Sequence, residues 1–277
     1  MKNKCFCIFG VSLVFSAALF FLFSPAFPSE LSPGIELAGE GKFEEARKIF
    51  EKALKANGGD SLSEGSLWII DDFDSGKIER ECALSLFKGL RLIAANLPEQ
   101  ALEELLSAEK LDPGYSRTHN ILGMVYAILG HAGDAERQFR EAIRLQPRYA
   151  QAYFNLGSFY QSQGENSKAL ENYEKAASIE PSSEIYTDIA YICAEENRYK
   201  EAITYFHKSL KLKPGDADVY YNLGMAYFMS NQYLKSRENF IRAKAFYRKA
   251  GDKKGIADTD KFLDKFFELE AKWKTGN

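Results

Sequence analysis

No HExxH, no paired-cysteine motif, no glycine-rich phosphate loop and no Gly-x-Ser-x-Gly elbow occurs in this sequence, and histidine is scarce. His119, His131 and His207 are the only three, and they have no metal-ligand spacing. These absences remove the local signals of hydrolytic, metal-assisted and phosphoryl-transfer chemistry, so neither cofactor nor metal is expected and the chain is not read as an enzyme. Lysine and arginine form no run, and the formal charge is −3. A nucleic-acid partner is therefore not expected, because that binding needs basic side chains gathered on one face. Cysteine is also sparse. Of the four, Cys5 and Cys7 lie at the extreme N-terminus, while Cys82 and Cys193 lie far apart in order, so two buried thiols and no disulfide framework are expected.

What is present begins with a segment unlike the rest. Lys2 and Lys4 precede an apolar stretch from Cys5 to Phe23, followed by Ser24, Pro25, Ala26, Phe27 and Pro28. A positive start, an apolar middle and small residues at the end describe a secretory signal cleaved after Ala26. The alternative is an uncleaved membrane anchor, since nineteen residues at about 1.5 Å each nearly span a hydrocarbon core of about 30 Å. The short apolar stretch and the prolines favour cleavage, which would take the formal charge from −3 to −5 by removing Lys2 and Lys4. Either way the rest of the chain is expected outside the cytoplasm, secreted, periplasmic or tethered. Membrane contact would then come only through residues 1–26. Cys5 and Cys7 precede the apolar stretch, which disfavours lipid anchoring.

The rest is periodic. Pro113, Pro147, Pro181 and Pro214 are spaced by 34, 34 and 33 residues, and Ala101, Ala135, Ala169 and Ala202 keep the same intervals. Gly89, Gly123, Gly157, Ala190 and Gly224 run in phase with them. A fixed period of this length is the signature of a stacked array. Each unit reads as two amphipathic helices, for example Leu156 and Tyr160 in the first and Ala169, Tyr173 and Ala176 in the second. Gly130 and Gly164 end first helices, and the prolines end second helices because proline cannot donate the next hydrogen bond. Gly157 and Ala169 are small, as expected where two helix backbones approach closely.

The pattern Tyr153, Leu156, Gly157, Tyr160, Ala169, Tyr173, Ala176, Pro181 resembles the tetratricopeptide repeat. So does His119, Leu122, Gly123, Tyr126, Ala135, Phe139, Ala142, Pro147, with His119 at the first aromatic position. The unit from Tyr220 to Ala243 matches without a closing proline, and those at 183–216 and 82–115 match more loosely. The resemblance implies an all-α, right-handed superhelical solenoid of helix-turn-helix units. The expected organisation is a signal or anchor at 1–26, a partial repeat at 27–57 and an insertion at 58–81. Five repeats follow at 82–115, 116–149, 150–182, 183–216 and 217–250, and a C-terminal capping helix at 251–277. Cys82 and Cys193 would stand in repeats three apart. The insertion, with Leu67, Trp68, Ile69, Ile70 and the acidic Asp71, Asp72 and Asp74, reads as a packing segment and not as a calcium loop.

In tetratricopeptide proteins the face of the first helices lines a concave groove that binds partner peptides or helices. Carried onto this chain, the resemblance places Asn120 and Met124, then Phe154, Asn155, Ser158 and Gln161, then Thr187 and Tyr191, then Tyr221, Asn222 and Met225 in that groove. Met124, Phe154, Tyr191, Tyr221 and Met225 suit an amphipathic helix or an extended peptide with large side chains. Asn120, Asn155 and Asn222 would bond its backbone. Arg117 is the one basic residue near the groove, which argues against a clamp for acidic tails. Leu86, Leu90 and Ile93 are either groove or buried beneath the N-terminal segment, and Met225 and Phe228 are either groove or buried beneath the C-terminal helix. The expected function is an extracytoplasmic scaffold or adaptor for a protein partner. An export chaperone or an accessory subunit of a cell-envelope enzyme is the alternative.

Overall fold

The computed structural model describes residues 32–57 and 61–275, so the signal or anchor expected at 1–26 lies outside the described residues. Among the described residues all regular structure is helical, in fourteen α-helices with no strand. The helices are α1 (Ser32–Gly39), α2 (Phe43–Asn57), α3 (Ser61–Asp74), α4 (Arg80–Ala94), α5 (Pro98–Leu111), α6 (Ser116–Ile128) and α7 (Ala132–Leu145). They continue with α8 (Ala150–Ser162), α9 (Asn166–Ile179), α10 (Ser183–Glu195), α11 (Tyr199–Leu212), α12 (Ala217–Met229), α13 (Tyr233–Ala250) and α14 (Lys253–Thr275). None of them is long and apolar enough to cross a membrane. The chain divides into two compact units, Met1–Glu165 and Asn166–Asn277.

In the first unit α4 packs on α5 and α6 on α7 as tight hairpins, and α5 and α7 each also pack on the next first helix. In the second unit α10 pairs with α11 and α12 with α13, with α9 against α10 and α14 against α13. The five turns that end the first helices share one geometry. Asn96, Gly130, Gly164, Asn197 and Asn231 have φ of 57, 76, 74, 63 and 61°. The next residue's amide reaches back six positions inclusive, as in Leu97 to the Leu92 carbonyl at 2.9 Å and Arg198 to the Cys193 carbonyl at 2.8 Å. This is the left-handed helix stop for which glycine, and after it asparagine, is suited. Gly130 and Gly164 are the stops expected from the sequence; Asn96, Asn197 and Asn231 do the same work in the other three repeats.

Each second helix delivers one large side chain to the core. Leu105, Phe139, Tyr173, Phe206 and Phe240 are all fully buried at the repeat interval. What presses on the repeat glycine is this side chain and not a neighbouring backbone. A Cβ on Gly89 would lie 2.8 Å from Leu105, one on Gly123 2.7 Å from Phe139, and one on Gly224 3.2 Å from Phe240. Where serine replaces a small alanine, its hydroxyl is satisfied: Ser236 Oγ donates to the Gly224 carbonyl at 2.8 Å, and Ser209 Oγ lies 2.8 Å from Thr187 Oγ1. Cys82 and Cys193 are free and buried.

At the N-terminal end α1 and α2 form a hairpin turned at Gly41, whose φ is 79°. Helix α1 also packs on α4, and Phe50 stacks on Phe87 at 6.4 Å. Leu86 and Leu90 are buried in this cluster, so the N-terminal segment covers them. The insertion contains a helix, α3, held on α2 by Phe43 against Phe73 at 4.8 Å and by Arg47, which donates to Asp71 at 2.6 Å and Asp74 at 2.7 Å. At the other end α14 buries Leu263 and Phe266, and Phe262 stacks on Phe240 at 5.0 Å. Phe267 and Trp273 of the expected capping helix lie outside the described side chains.

Candidate partner-binding face

In the first unit the expected stripe comes from α6 and α8. Successive turns of one helix bring Asn120 and Met124 to one side of α6, and Phe154, Ser158 and Gln161 to the same side of α8. Asn120, Phe154, Asn155 and Ser158 are buried, whereas Met124 and Gln161 keep partial exposure. The asparagines are already engaged: Asn155 donates to Asn120 Oδ1 at 3.0 Å and accepts from Gln151 at 3.0 Å. These amides tie adjacent first helices together and are not held out for a partner's backbone. The reason is local, since the Asn side chain on a packed helix reaches its neighbour across the repeat interface before it reaches solvent.

Arg117, one turn before Asn120 on the same stripe, is also spent. Its guanidinium stacks 4.5 Å over the Trp68 ring of α3 and 5.2 Å over the Tyr149 ring. Its Nε donates to Asp72 Oδ2 at 3.3 Å, and the Tyr115 hydroxyl donates to the same oxygen at 2.6 Å. Lys77 donates to Asp72 Oδ1 at 3.0 Å. Burial alone would raise the Asp72 carboxyl, but the Tyr115 hydroxyl, Lys77 and Arg117 outweigh it and hold it below the usual range. The Arg117 side chain is 12% exposed, so the one cation of this stripe binds the chain's own inserted helix.

In the second unit the stripe divides by chemistry. Thr187 turns away from it, its hydroxyl donating to the Ser183 carbonyl at 2.8 Å and meeting Ser209 of α11. Tyr221 and Met225 pack into the cluster that α14 closes, with Tyr221 edge-on to Phe262 at 5.8 Å. The C-terminal helix therefore covers this end of the expected groove, Phe228 included. Tyr191 and Asn222 are half-buried and joined, the Asn222 amide donating to the Tyr191 hydroxyl at 3.0 Å and to the Asp218 carbonyl at 2.8 Å. Burial and the nearby Asp218, Asp188 and Asp216 carboxylates raise the Tyr191 hydroxyl well above its ordinary value.

Asp188 stands a turn before Tyr191 on the same helix. It is 2% exposed, and its Oδ2 has no hydrogen-bond partner. Burial pushes its carboxyl well above the carboxylate range, and Glu184 one turn earlier pushes it further. The signal in the sequence was the substitution itself, because Asn155 and Asn222 occupy this position in neighbouring repeats.

Helical hairpins that bury Leu105, Phe139, Tyr173, Phe206 and Phe240 at the repeat interval define a helical repeat protein. Family models described as tetratricopeptide repeat match residues 150–183, and residues 35–60 together with 116–149; one described as TPR repeat matches 190–231. The chain is a tetratricopeptide repeat protein. Among solved structures, MamA from Desulfovibrio magneticus RS-1 is similar at 18% identity and a TM-score of 0.56, covering 62% of this chain and 98% of that one. YrrB, described as a TPR protein with an unusual peptide-binding site, is similar at 21% identity and a TM-score of 0.53, covering 76% and 97%. PilF of Pseudomonas aeruginosa is similar at 18% identity and a TM-score of 0.55, covering 71% and 98%. At these identities the likeness is one of fold. No curated protein matches the chain.

Proposed function

We propose that the chain is an extracytoplasmic protein-interaction scaffold that holds a partner peptide or amphipathic helix on its first-helix faces, in the assembly of a larger complex, and that it carries out no catalysis. The observation that supports this most is the partial exposure of large apolar and aromatic side chains on first helices. Helices α6 and α10 keep Met124 and Tyr191 half-buried while Leu122, Val125, Ile189 and Ile192 of the same helices are buried in the core. Partly wet methionine and aromatic side chains on a rigid scaffold are adaptable contacts for an apolar partner. The peptide-binding description of YrrB is in keeping with this reading. Placement outside the cytoplasm rests on Lys2, Lys4 and the apolar stretch from Cys5 to Phe23.

The test is photocrosslinking in the native cell, with a photoreactive residue at Met124, at Tyr191 or, as a control, at the exposed Glu171 of α9. One protein captured from Met124 and Tyr191 but not from Glu171 is expected. The adduct should be degraded by protease added outside an intact cytoplasmic membrane. Equal capture from all three positions would overturn the face assignment, and a protected adduct would overturn the location.

A further inference from the structure

The first-helix face of the second unit is acidic and supplies no cation of its own. Helix α10 carries Glu184, Asp188 and Glu195, helix α12 carries Asp218, and neither contains a lysine or an arginine. Asp188 and Asp218, on α10 and α12, both raise the Tyr191 hydroxyl, and Asn222 of α12 donates to that hydroxyl at 3.0 Å. Asp218 has a partner in the Tyr247 hydroxyl; Asp188 Oδ2 has none. Lys213, the cation that acts on Glu184, is held in an ion pair by Asp216 at 3.1 Å.

A buried carboxyl oxygen without a partner destabilises the fold that contains it. The neighbouring repeats avoid that cost with asparagine, which has nearly the same shape and whose amide finds donors and acceptors at Asn155 and Asn222. A residue that is unfavourable in the free chain, set in an aromatic and acidic face, becomes favourable when a cation reaches it. A guanidinium or ammonium group provides the donors that Asp188 lacks and the charge that Glu184 and Asp218 call for, in a partly dry setting where such bonds are strong.

We propose that this face seats one basic side chain, arginine or lysine, of a partner peptide, with Asp188 as the buried acceptor and Glu184 and Asp218 flanking it. The inference rests on the scaffold reading above and adds to it the chemistry of the partner.

A phage-displayed library of random peptides selected on the full chain tests it, using the wild type, Asp188→Asn and, as an outer-face control, Glu171→Gln. The wild type and E171Q are expected to select peptides with arginine or lysine at one fixed position, and D188N to select peptides without that preference. In a peptide selected on the wild type, replacing that arginine by citrulline is expected to weaken binding to the wild type about 10- to 100-fold, a comparison that needs no variant. D188N should melt no lower than the wild type by circular dichroism, so lost selection is not lost folding. Peptides selected by the wild type with no basic preference, or the same preference in D188N, would overturn the basic-residue site and leave the scaffold standing. No selection above background on any chain would overturn the scaffold reading and this inference with it.

Discussion

Gly123 lies beneath the Phe139 ring so closely that a methyl group there would overlap it, whereas Gly224 leaves Phe240 a few tenths of an ångström more room. Gly123→Ala is therefore expected to destabilise by about 1–3 kcal/mol, the usual range for overpacking a filled core. Gly224→Ala should cost clearly less, and urea denaturation of the two variants checks the order. Equal costs would mean that the ring does not set the spacing. His119 shows the same economy at another position. Buried where other repeats place an aromatic, it donates from Nε2 to the Pro113 carbonyl at 2.9 Å, and its Nδ1 faces Gln138 Oε1 at 2.6 Å. A packing position has thus become a polar tie between the inter-repeat loop and α7.

Among the elements, α3 and α14 are ones that the repeat does not explain, and α3 is an insertion. It is fastened by side chains at both of its faces, through Arg47 to α2 and through the Trp68, Asp72 and Arg117 cluster to α6. Removing Arg117 leaves Asp72 with less compensation and Trp68 without its stacked partner. Arg117→Ala is expected to cost about 2 kcal/mol and to speed amide exchange in α3 while leaving α10 to α13 unchanged. Uniform acceleration through both units would show instead that α3 is part of the general core. The hairpins were legible in the sequence because Pro113, Pro147, Pro181 and Pro214 and the small residues in phase with them answer to local geometry that recurs. Cap Asn96, Asn197 and Asn231 were less so, since asparagine also occurs on ordinary helix surfaces. The use of Arg117 by α3 and of Tyr221 and Met225 by α14 depends on where non-repeating segments come to rest, and no period encodes that. For the same reason Asn120 and Asn155 read as free donors, although each is the other's neighbour.

For the whole molecule, recognition is proposed for the partly exposed side chains of first helices, stability comes from the buried side chains of first and second helices together, and the first helices of the second unit are acidic. Tyr191 joins the two roles, since its ring meets the buried Phe206 edge-on at 5.7 Å while its hydroxyl accepts from the Asn222 amide at 3.0 Å. Repeat arrays of this kind tolerate surface change because each hairpin is held mainly by its neighbours. Amide hydrogen exchange of the full chain, alone and bound to the protein captured by crosslinking, tests this most directly. The account predicts slower exchange on binding in α10 and α12 with little change in α11 and α13. Slowing confined to α11 and α13, or to α3, would contradict it.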